Sequence, residues 1–257
     1  MSPLLETRDL SVRIGGQRVC DSLELRIGHG ECWALLGRNG TGKTTLLHHL
    51  AGLRRDHTGD ILSSGRNLAQ LTPRNRAQRI GILLQHSNRG FGAGVFDTVL
   101  SGRHPHLSGL GWETAADVDI ARHCLKALGL EHLAQRSLQT LSGGELRRVE
   151  IARLLTQQTP LSLLDEPTNH LDLAHQADCI RILRRQCVSD KRAMLLVVHD
   201  LNLAYRVCDH WLILDGDGHW QAGTRESLGD CKRLSAAYAH PISRIESDAG
   251  AVFVAGL

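Results

Sequence analysis

The segment GRNGTGKT, at residues 37–44, constrains the fold of this chain more than any other stretch. It fits the pattern G-x-x-x-x-G-K-[ST], and it lies between an apolar run at residues 32–36 and an apolar stretch with a helical pattern. The backbone N–H groups of such a loop and the N-terminus of the next helix bind phosphate. We therefore predict a strand, loop and helix that hold a nucleotide, with Lys43 on the β- and γ-phosphates and Thr44 on Mg²⁺.

Two adjacent carboxylates form a second part of the predicted site. Asp165 and Glu166 come at the end of the apolar run LSLLD and directly before Pro167. In sites built on a phosphate-binding loop of this type, a carboxylate at the end of a buried strand holds Mg²⁺ through water, and we assign that role to Asp165. Glu166 is then the candidate general base for an attacking water molecule.

Two more apolar runs end in polar residues. Gln85 follows IGILL, and His199 follows AMLLVV. The succession of strand and helix patterns predicts a parallel sheet covered by helices, in which the strand order brings His199 near Glu166 and the γ-phosphate. We expect Gln85 to contact Mg²⁺ or the attacking water. A single histidine at a strand end is more often structural than catalytic, so each of these residues alone is a weak signal.

The segment LSGGE, at residues 141–145, predicts a second turn that can hold an anion. Ser142 and Glu145 have the spacing of a capping box, which opens a helix. An ordinary capped helix explains that spacing, but not the two glycines, Gly143 and Gly144, in the first turn. Glycines at this position allow a phosphate to approach the backbone closely. The chain therefore carries two predicted phosphate-binding turns, far apart in sequence.

Composition places the chain among ordinary globular proteins. Of its 257 residues, 42% are apolar and 22% are charged, and the formal net charge is +3. This balance gives no argument for nucleic-acid binding. Seven scattered cysteines without a Cys-x-x-Cys spacing indicate reduced thiols in a cytosolic protein. The N-terminus lacks the pattern of a signal peptide, and no apolar run reaches the ~18 residues of a membrane span.

In this order and combination, the motifs resemble those of the ATP-binding subunit of ABC transporters, over nearly the whole chain. GRNGTGKTT matches the Walker A loop, LLDEP the Walker B motif, LSGGE the signature and NHLD the D-loop. Gln85 and His199 match the Q-loop glutamine and the switch histidine. The resemblance implies an α/β fold: a P-loop NTPase core with a mainly parallel sheet, an N-terminal antiparallel β-subdomain and an inserted helical subdomain.

The expected organisation is a single domain over residues 1–257. The core with its β-subdomain would occupy residues 1–90 and 159–230, and the helical subdomain with the signature residues 91–158. Residues 231–257 would form a C-terminal appendage, whose pattern predicts two short strands.

The resemblance also implies an ATP hydrolase that uses ATP and Mg²⁺. Two copies would dock head to tail, so that LSGGE of one copy completes the nucleotide site of the other. The implied catalytic residues are Lys43, Gln85, Glu166 and His199, and the implied metal ligands are Thr44, Gln85 and Asp165. The implied nucleotide-binding residues are Gly37, Arg38, Asn39, Gly40, Thr41, Gly42, Lys43, Thr44 and Thr45, together with Ser142, Gly143, Gly144 and Glu145 of the partner copy.

Three segments resemble subunits that serve importers of iron-siderophores, haem and cobalamin: TVLSGRHPH at residues 98–106, NHLDLAHQ and HDLNLAYRVCDH. This implies a peripheral protein on the cytoplasmic face of the cell inner membrane. Its partners would be a transmembrane permease dimer and, indirectly, an extracytoplasmic substrate-binding protein, with no nucleic acid. We expect GRHPH, including Arg103 and His106, on the surface that receives the permease; a plain surface turn is the alternative.

Two positions depart from the family pattern. Ile14 stands where the family often has a tyrosine that stacks on adenine, and Arg147 stands where a glutamine is common. Neither change removes a catalytic group. Because Ile14 lacks a π-face, base recognition is expected to be weaker or to come from elsewhere.

Other functions within the same family stay open. The subunit could serve an exporter, or it could be a soluble ATPase acting on ribosomes or nucleic acid. The interval between Lys43 and Ser142 is too short for the coiled coil of the DNA-repair type, and the ribosome type has two cassettes per chain. An inactive nucleotide-binding module is disfavoured, because Lys43, Asp165, Glu166 and His199 are all present.

Overall fold

Two sheets, an inserted group of helices and a C-terminal hairpin make up the fold. The computed structural model describes residues 2–85, 92–107, 111–169, 171–247 and 250–256. His170, within the expected D-loop, lies outside these residues.

The strands are β1 (Leu5–Ile14), β2 (Gln17–Leu23), β3 (Arg26–Ile27), β4 (Cys32–Gly37), β5 (His57–Ser63), β6 (Arg66–Asn67), β7 (Ile80–Leu83), β8 (Leu161–Asp165), β9 (Ala193–Val197), β10 (His210–Leu214), β11 (Trp220–Thr224), β12 (Ile242–Ser247) and β13 (Gly250–Ala255). The α-helices are α1 (Lys43–Leu50), α2 (Pro73–Ala77), α3 (Val95–Leu100), α4 (Ala115–Ala127), α5 (Gly143–Gln157), α6 (Leu173–Cys187), α7 (Leu201–Val207), α8 (Arg225–Leu228) and α9 (Cys231–Tyr238). Short 3₁₀ helices lie at Leu68–Gln70, Ser101–His106, Glu131–Leu133 and Leu138–Thr140.

The N-terminal strands form an antiparallel sheet in the order β2-β1-β5-β6, with β3 paired to β1. The Gly15-Gly16 turn between β1 and β2 has positive φ at both residues, as a tight hairpin requires. This confirms the antiparallel N-terminal sheet that the family resemblance implies.

The main sheet has the strand order β11-β10-β4-β9-β8-β7. Its pairs are parallel except for β10 with β11. Every residue of β4, β8 and β9 is buried, because the sheet is covered on both faces. Parallel strands place their carboxyl ends at one edge, and the polar residues that follow β4, β7, β8 and β9 therefore meet there. The parallel sheet expected from the sequence is confirmed.

The two faces of the main sheet pack into separate hydrophobic clusters. Leu35 and Leu195 belong to the cluster shared with α1 and the antiparallel sheet. Leu36 and Leu196, one residue further along each strand, belong to the cluster shared with α4, α5 and α6. Because successive side chains of a strand point to opposite faces of the sheet, α1 and the phosphate loop pack on one face and the inserted helices on the other.

The segment Ser101–His106 corrects an expectation from the sequence. Arg103 is buried; its Nε donates to Asp117 Oδ1 at 2.7 Å and its Nη1 to the carbonyl of Thr156 at 3.1 Å. His106 Nε2 lies 2.8 Å from the carbonyl oxygen of Gln157. The expectation that Arg103 faces a permease is wrong, because its guanidinium joins α4 to the end of α5. His104 is exposed.

The C-terminal hairpin of β12 and β13 packs against α7. The side-chain amide of Asn202 donates to the carbonyl of Phe253 at 3.1 Å and accepts from its N–H at 2.7 Å, and the Phe253 ring lies edge-on to Tyr205. The expected pair of C-terminal strands is confirmed. All seven cysteines are free thiols. Within the described residues, no helix is both long and apolar enough to cross a membrane.

Candidate active site

The backbone of the phosphate loop, residues 37–44, lies close to neighbouring segments of the chain. Gly37 and Gly42 have φ values of +143° and +93°. A Cβ at Gly37 would lie 2.4 Å from the carbonyl oxygen of Leu214, and a Cβ at Gly42 would lie 2.6 Å from a Val19 methyl carbon. Side chains at these positions would therefore displace the loop. Glycine leaves the backbone N–H groups open to a ligand.

Lys43 opens α1 and folds back over the phosphate loop. Its buried ammonium donates to the carbonyls of Gly37 at 2.8 Å and of Arg38 at 2.9 Å. Burial lowers the pKa of Lys43, while the nearby Glu166 and Asp165 carboxylates act to raise it. A desolvated ammonium held by neutral carbonyls is well placed to bind phosphate oxygens instead.

Asp165 ends β8 with no exposed surface. Neither of its carboxylate oxygens has a hydrogen-bond partner of good geometry in the described part of the chain; burial raises the pKa of Asp165, and the nearby Thr44 hydroxyl acts to lower it. A buried carboxylate without a partner is costly, and a divalent cation bound to its oxygens would offset that cost. No group of three or more His, Cys, Asp or Glu among the described residues could hold a metal by itself. The residues therefore suit Mg²⁺ whose other ligands include phosphate and water.

Glu166 follows β8 in a strained turn. Its φ is +47°, in the left-handed region, which costs a non-glycine residue about 1–2 kcal/mol. Its N–H donates to the carbonyl of Val197 in β9 at 3.2 Å. A strained residue held by its surroundings is typical of functional sites.

Three side chains from three different segments converge on the Glu166 carboxylate. Gln85 donates through Nε2 to Oε2 at 3.1 Å, Asn169 donates to the same oxygen, and His199 Nε2 binds Oε1. Burial acts to raise the pKa of Glu166, but the hydrogen bonds of His199, Asn169 and Gln85 outweigh it and leave the pKa below its ordinary value. The carboxylate is therefore ionised at neutral pH and can accept a proton.

One open cavity of about 450 Å³ brings all four predicted catalytic residues together. Asp165, which directly precedes Glu166, is fully buried and is not among the lining residues. The lining residues are Ile14, Asn39, Gly40, Gly42, Lys43, Thr44, Thr45, Gln85, Glu166 and His199.

The predicted signature residues lie at a different cavity. The Ser142 hydroxyl accepts from the Glu145 N–H at 3.2 Å, and the Glu145 carboxylate accepts from the Ser142 N–H at 2.8 Å, which confirms the capping box. A cavity of about 540 Å³ opens beside this turn. Its lining residues are Ser142, Gly143, Gly144, Glu145, Arg148, Leu171, Asp172 and His175. None of them lines the cavity at Lys43.

Two residues of the site were not singled out as site residues from the sequence. Asn169 was assigned only to the D-loop, yet its amide binds the candidate base. Arg147 was noted only as a departure from the family pattern, yet it is buried against the carbonyls of Asp165 and Glu166. The position of Asn169, three residues after Glu166, is the signal that could have identified it. A lone arginine in a helix carries no comparable signal.

Comparison with known proteins decides the family. A family model described as ABC transporter matches residues 20–169, more than half of the chain. The chain belongs to the ABC transporter family. It is an ATP-binding transport ATPase of that family.

Similar proteins point to one group within the ABC family. The chain is 42% identical over 217 residues to the hemin import ATP-binding protein HmuV of Myxococcus xanthus, covering 82% of this chain and 80% of that protein. It is 36% identical over 209 residues to the iron(3+)-hydroxamate import ATP-binding protein FhuC of Bacillus subtilis, covering 81% and 77%. The fold is similar to that of a metal-chelate type ABC transporter in an inward-facing conformation, with a TM-score of 0.83, 27% identity and coverage of 100% and 98%.

Proposed function

We propose that this chain hydrolyses ATP to drive import of a metal chelate, namely haem, an iron-siderophore or cobalamin, through a membrane permease. The functions named for similar proteins support the cargo class, since these are import subunits for hemin and iron-hydroxamate. The observation that supports the mechanism is that Gln85, Asn169 and His199 all bind the ionised carboxylate of Glu166.

ATP would bind with its phosphates on the loop of residues 37–44. The Lys43 ammonium would exchange the carbonyls of Gly37 and Arg38 for phosphate oxygens. Thr44, Asp165 and Gln85 are the proposed ligands of Mg²⁺, and the two unpartnered oxygens of Asp165 support this assignment. When bound, the metal would neutralise charge on the β- and γ-phosphate oxygens.

Glu166 is the proposed general base. Its carboxylate would take a proton from a water molecule as that water attacks the γ-phosphorus and the bond to ADP breaks. His199 and Gln85 would hold the carboxylate in place, and His199 would lie near the departing phosphate. Because these hydrogen bonds lower the pKa of Glu166, its carboxylate is already ionised and does not have to lose a proton before it acts as the base.

A second copy of the chain is the proposed partner at the signature turn. Among the described residues, the cavities at Lys43 and at Ser142 have no lining residue in common, which supports a site that two chains complete together. Head-to-tail docking would place Ser142, Gly143 and Gly144 of one copy against the γ-phosphate held by the other. The permease dimer would hold the two copies at the cytoplasmic face of the inner membrane.

Transport by the complete complex tests the cargo and the direction. The chain would be purified with an affinity tag from membranes of its host, and the co-purifying permease reconstituted in vesicles. We expect ATP to drive haem, a ferric hydroxamate or cobalamin toward the side on which this chain lies, and the Lys43→Ala complex to move none. Movement in the opposite direction would indicate an exporter. Co-purification with ribosomes or nucleic acid instead of a permease would contradict the proposal.

A further inference from the structure

Arg147 makes contacts that no other described side chain on α5 makes. It is only 4% exposed and lies five residues after Ser142. Its guanidinium donates to four backbone carbonyls in two segments, one just after β7 and one at the end of β8. The acceptors are Leu84 at 2.6 Å, Asp165 at 2.6 Å, Glu166 at 2.9 Å and Pro167 at 3.2 Å.

Glu150, one turn further along α5, balances the buried charge. Its Oε2 accepts from Arg147 Nη1 at 3.1 Å, and both side chains are almost fully buried. The other oxygen of Glu150 has no hydrogen-bond partner among the described residues. Arg147 therefore carries an internal counterion, and its remaining N–H groups are free to bind backbone. A variant that removes Arg147 alone would leave Glu150 as an unpaired buried carboxylate, which is strongly destabilising.

Three of the four carbonyls belong to one turn whose central residue has a strained backbone conformation. Asp165, Glu166 and Pro167 are consecutive, and Glu166 has the left-handed φ of +47°. Three successive carbonyls can meet one planar guanidinium only while this turn keeps its shape. The rigid fork of donors in arginine suits such an arrangement, whereas the ammonium of lysine is a point charge on a flexible stem.

We propose that Arg147 is a positioning residue that holds the Glu166 turn in its left-handed conformation and so aims the Glu166 carboxylate at the attacking water. Its bond to Leu84 also fixes the residue before Gln85, whose amide binds the same carboxylate. The inference rests on the proposed role of Glu166 as the base. It assigns a function to a position at which this chain departs from the family pattern.

The activity test compares Arg147→Met/Glu150→Gln with the unmodified chain, because neither retains an unpaired buried charge; Glu150→Gln alone, which leaves Arg147 without its counterion, measures the separate effect of that substitution. Methionine has a similar length and no donor. We expect kcat to fall about 10- to 100-fold, because displacement of a catalytic group by about 1 Å costs on that order. The KM for ATP should change less than about twofold, because Arg147 does not line the cavity at Lys43. The control is Arg153→Met, an exposed position on the same helix, with unchanged kcat.

Hydrogen–deuterium exchange provides a readout that does not depend on catalysis. The N–H groups of Glu166 and Asn169 are bonded to the carbonyls of Val197 and Glu166. We expect both to exchange at least about tenfold faster in the double variant, with no change in β8. Faster exchange throughout β8 and α5 would show a merely structural role and overturn the proposal, as would unchanged exchange at both amides.

Arg147→Lys separates geometry from charge. We expect it to recover less than half of the lost kcat, because one ammonium cannot serve four carbonyls. Full activity in Arg147→Lys would overturn the proposed fork geometry. If Glu166→Gln stayed active, the role of Glu166 as base would fail, but the exchange data would still decide whether Arg147 holds the turn.

Discussion

The turn at Glu166 and the turn at Ser142 follow two different designs. At Glu166, side chains from three segments bind one buried carboxylate, and an arginine from a fourth segment binds the backbone. At Ser142, the turn is exposed, and the reciprocal hydrogen bonds between Ser142 and Glu145 stabilise its shape. A turn that keeps its shape by local contacts can be presented to another molecule. A turn that depends on distant segments works only inside its own chain.

The largest effect is expected at the first turn. Glu166→Gln should lower kcat about 10²–10⁴-fold, because the amide cannot accept the proton of the attacking water. Binding of MgATP should persist, since Lys43 and the phosphate loop are unchanged. Steady-state hydrolysis and equilibrium binding with the same protein check both parts. A turnover rate near that of the unmodified protein would remove Glu166 from the role.

The helix behind the second turn is supported at its far end by Arg103. Arg103→Ala should lower the free energy of unfolding by about 3 kcal/mol, because the buried Asp117 carboxylate keeps its hydrogen bonds from Thr114 but loses its positive partner. Urea unfolding measures this. His104→Ala, at an exposed neighbour, should change stability by less than about 0.5 kcal/mol. Equal effects of the two substitutions would mean that the Arg103–Asp117 pair does not support α5.

The ion pair between Arg103 and Asp117 is expected to lose its stabilising effect at acidic pH, because it depends on the ionised Asp117 carboxylate. The Thr114 N–H, Arg103 and the Thr114 hydroxyl lower the pKa of Asp117 from 3.8 to about 2. A lowered pKa in the folded state adds stability above the unfolded pKa, and this stability is lost as the pH falls from about 4 toward about 2. Asp117→Asn should therefore lose less unfolding free energy between pH 5 and pH 3 than the unmodified chain. Identical losses would contradict the assignment.

The smallest effect is expected at Ile14, one of the residues that line the cavity at Lys43. Ile14 lines the cavity, and no Phe, Tyr or Trp does so in the described part of the chain. We expect the isolated chain to prefer ATP over GTP by less than about tenfold, or ~1.4 kcal/mol. Competition binding measures the ratio. A larger preference would mean that another group reads the base.

The sequence predicted best what short-range patterns determine. The strands LSLLD and AMLLVV, the phosphate loop and the capping box at Ser142 all lie where their spacing placed them. Each depends on residues a few positions apart or on a continuous apolar run. The strand ends then brought Gln85, Glu166 and His199 to one edge of the sheet. The functional roles of these residues and the subdomain bounds stay predictions.

Contacts between distant segments could not be predicted in this way. Arg103 lies in a polar stretch that is typical of a surface turn, and its burial depends on Asp117 and the end of α5. Arg147 follows two glycines in an ordinary helical pattern, and its acceptors lie in other segments of the chain. Strand β10 was not predicted, although it lies beside β4 in the main sheet. Each case depends on the packing of neighbours that the local sequence does not identify.

The most direct test of the account is whether the Ser142 turn completes a partner's ATP site. Lys43→Ala and Ser142→Arg chains would be mixed and assembled with the permease to enforce dimers, and occluded ATP would be counted. Each variant alone should occlude none. In the mixed dimer, one site carries both substitutions and the other carries neither, so we predict one occluded ATP per two chains. Mixed dimers that form and occlude no ATP would contradict the account.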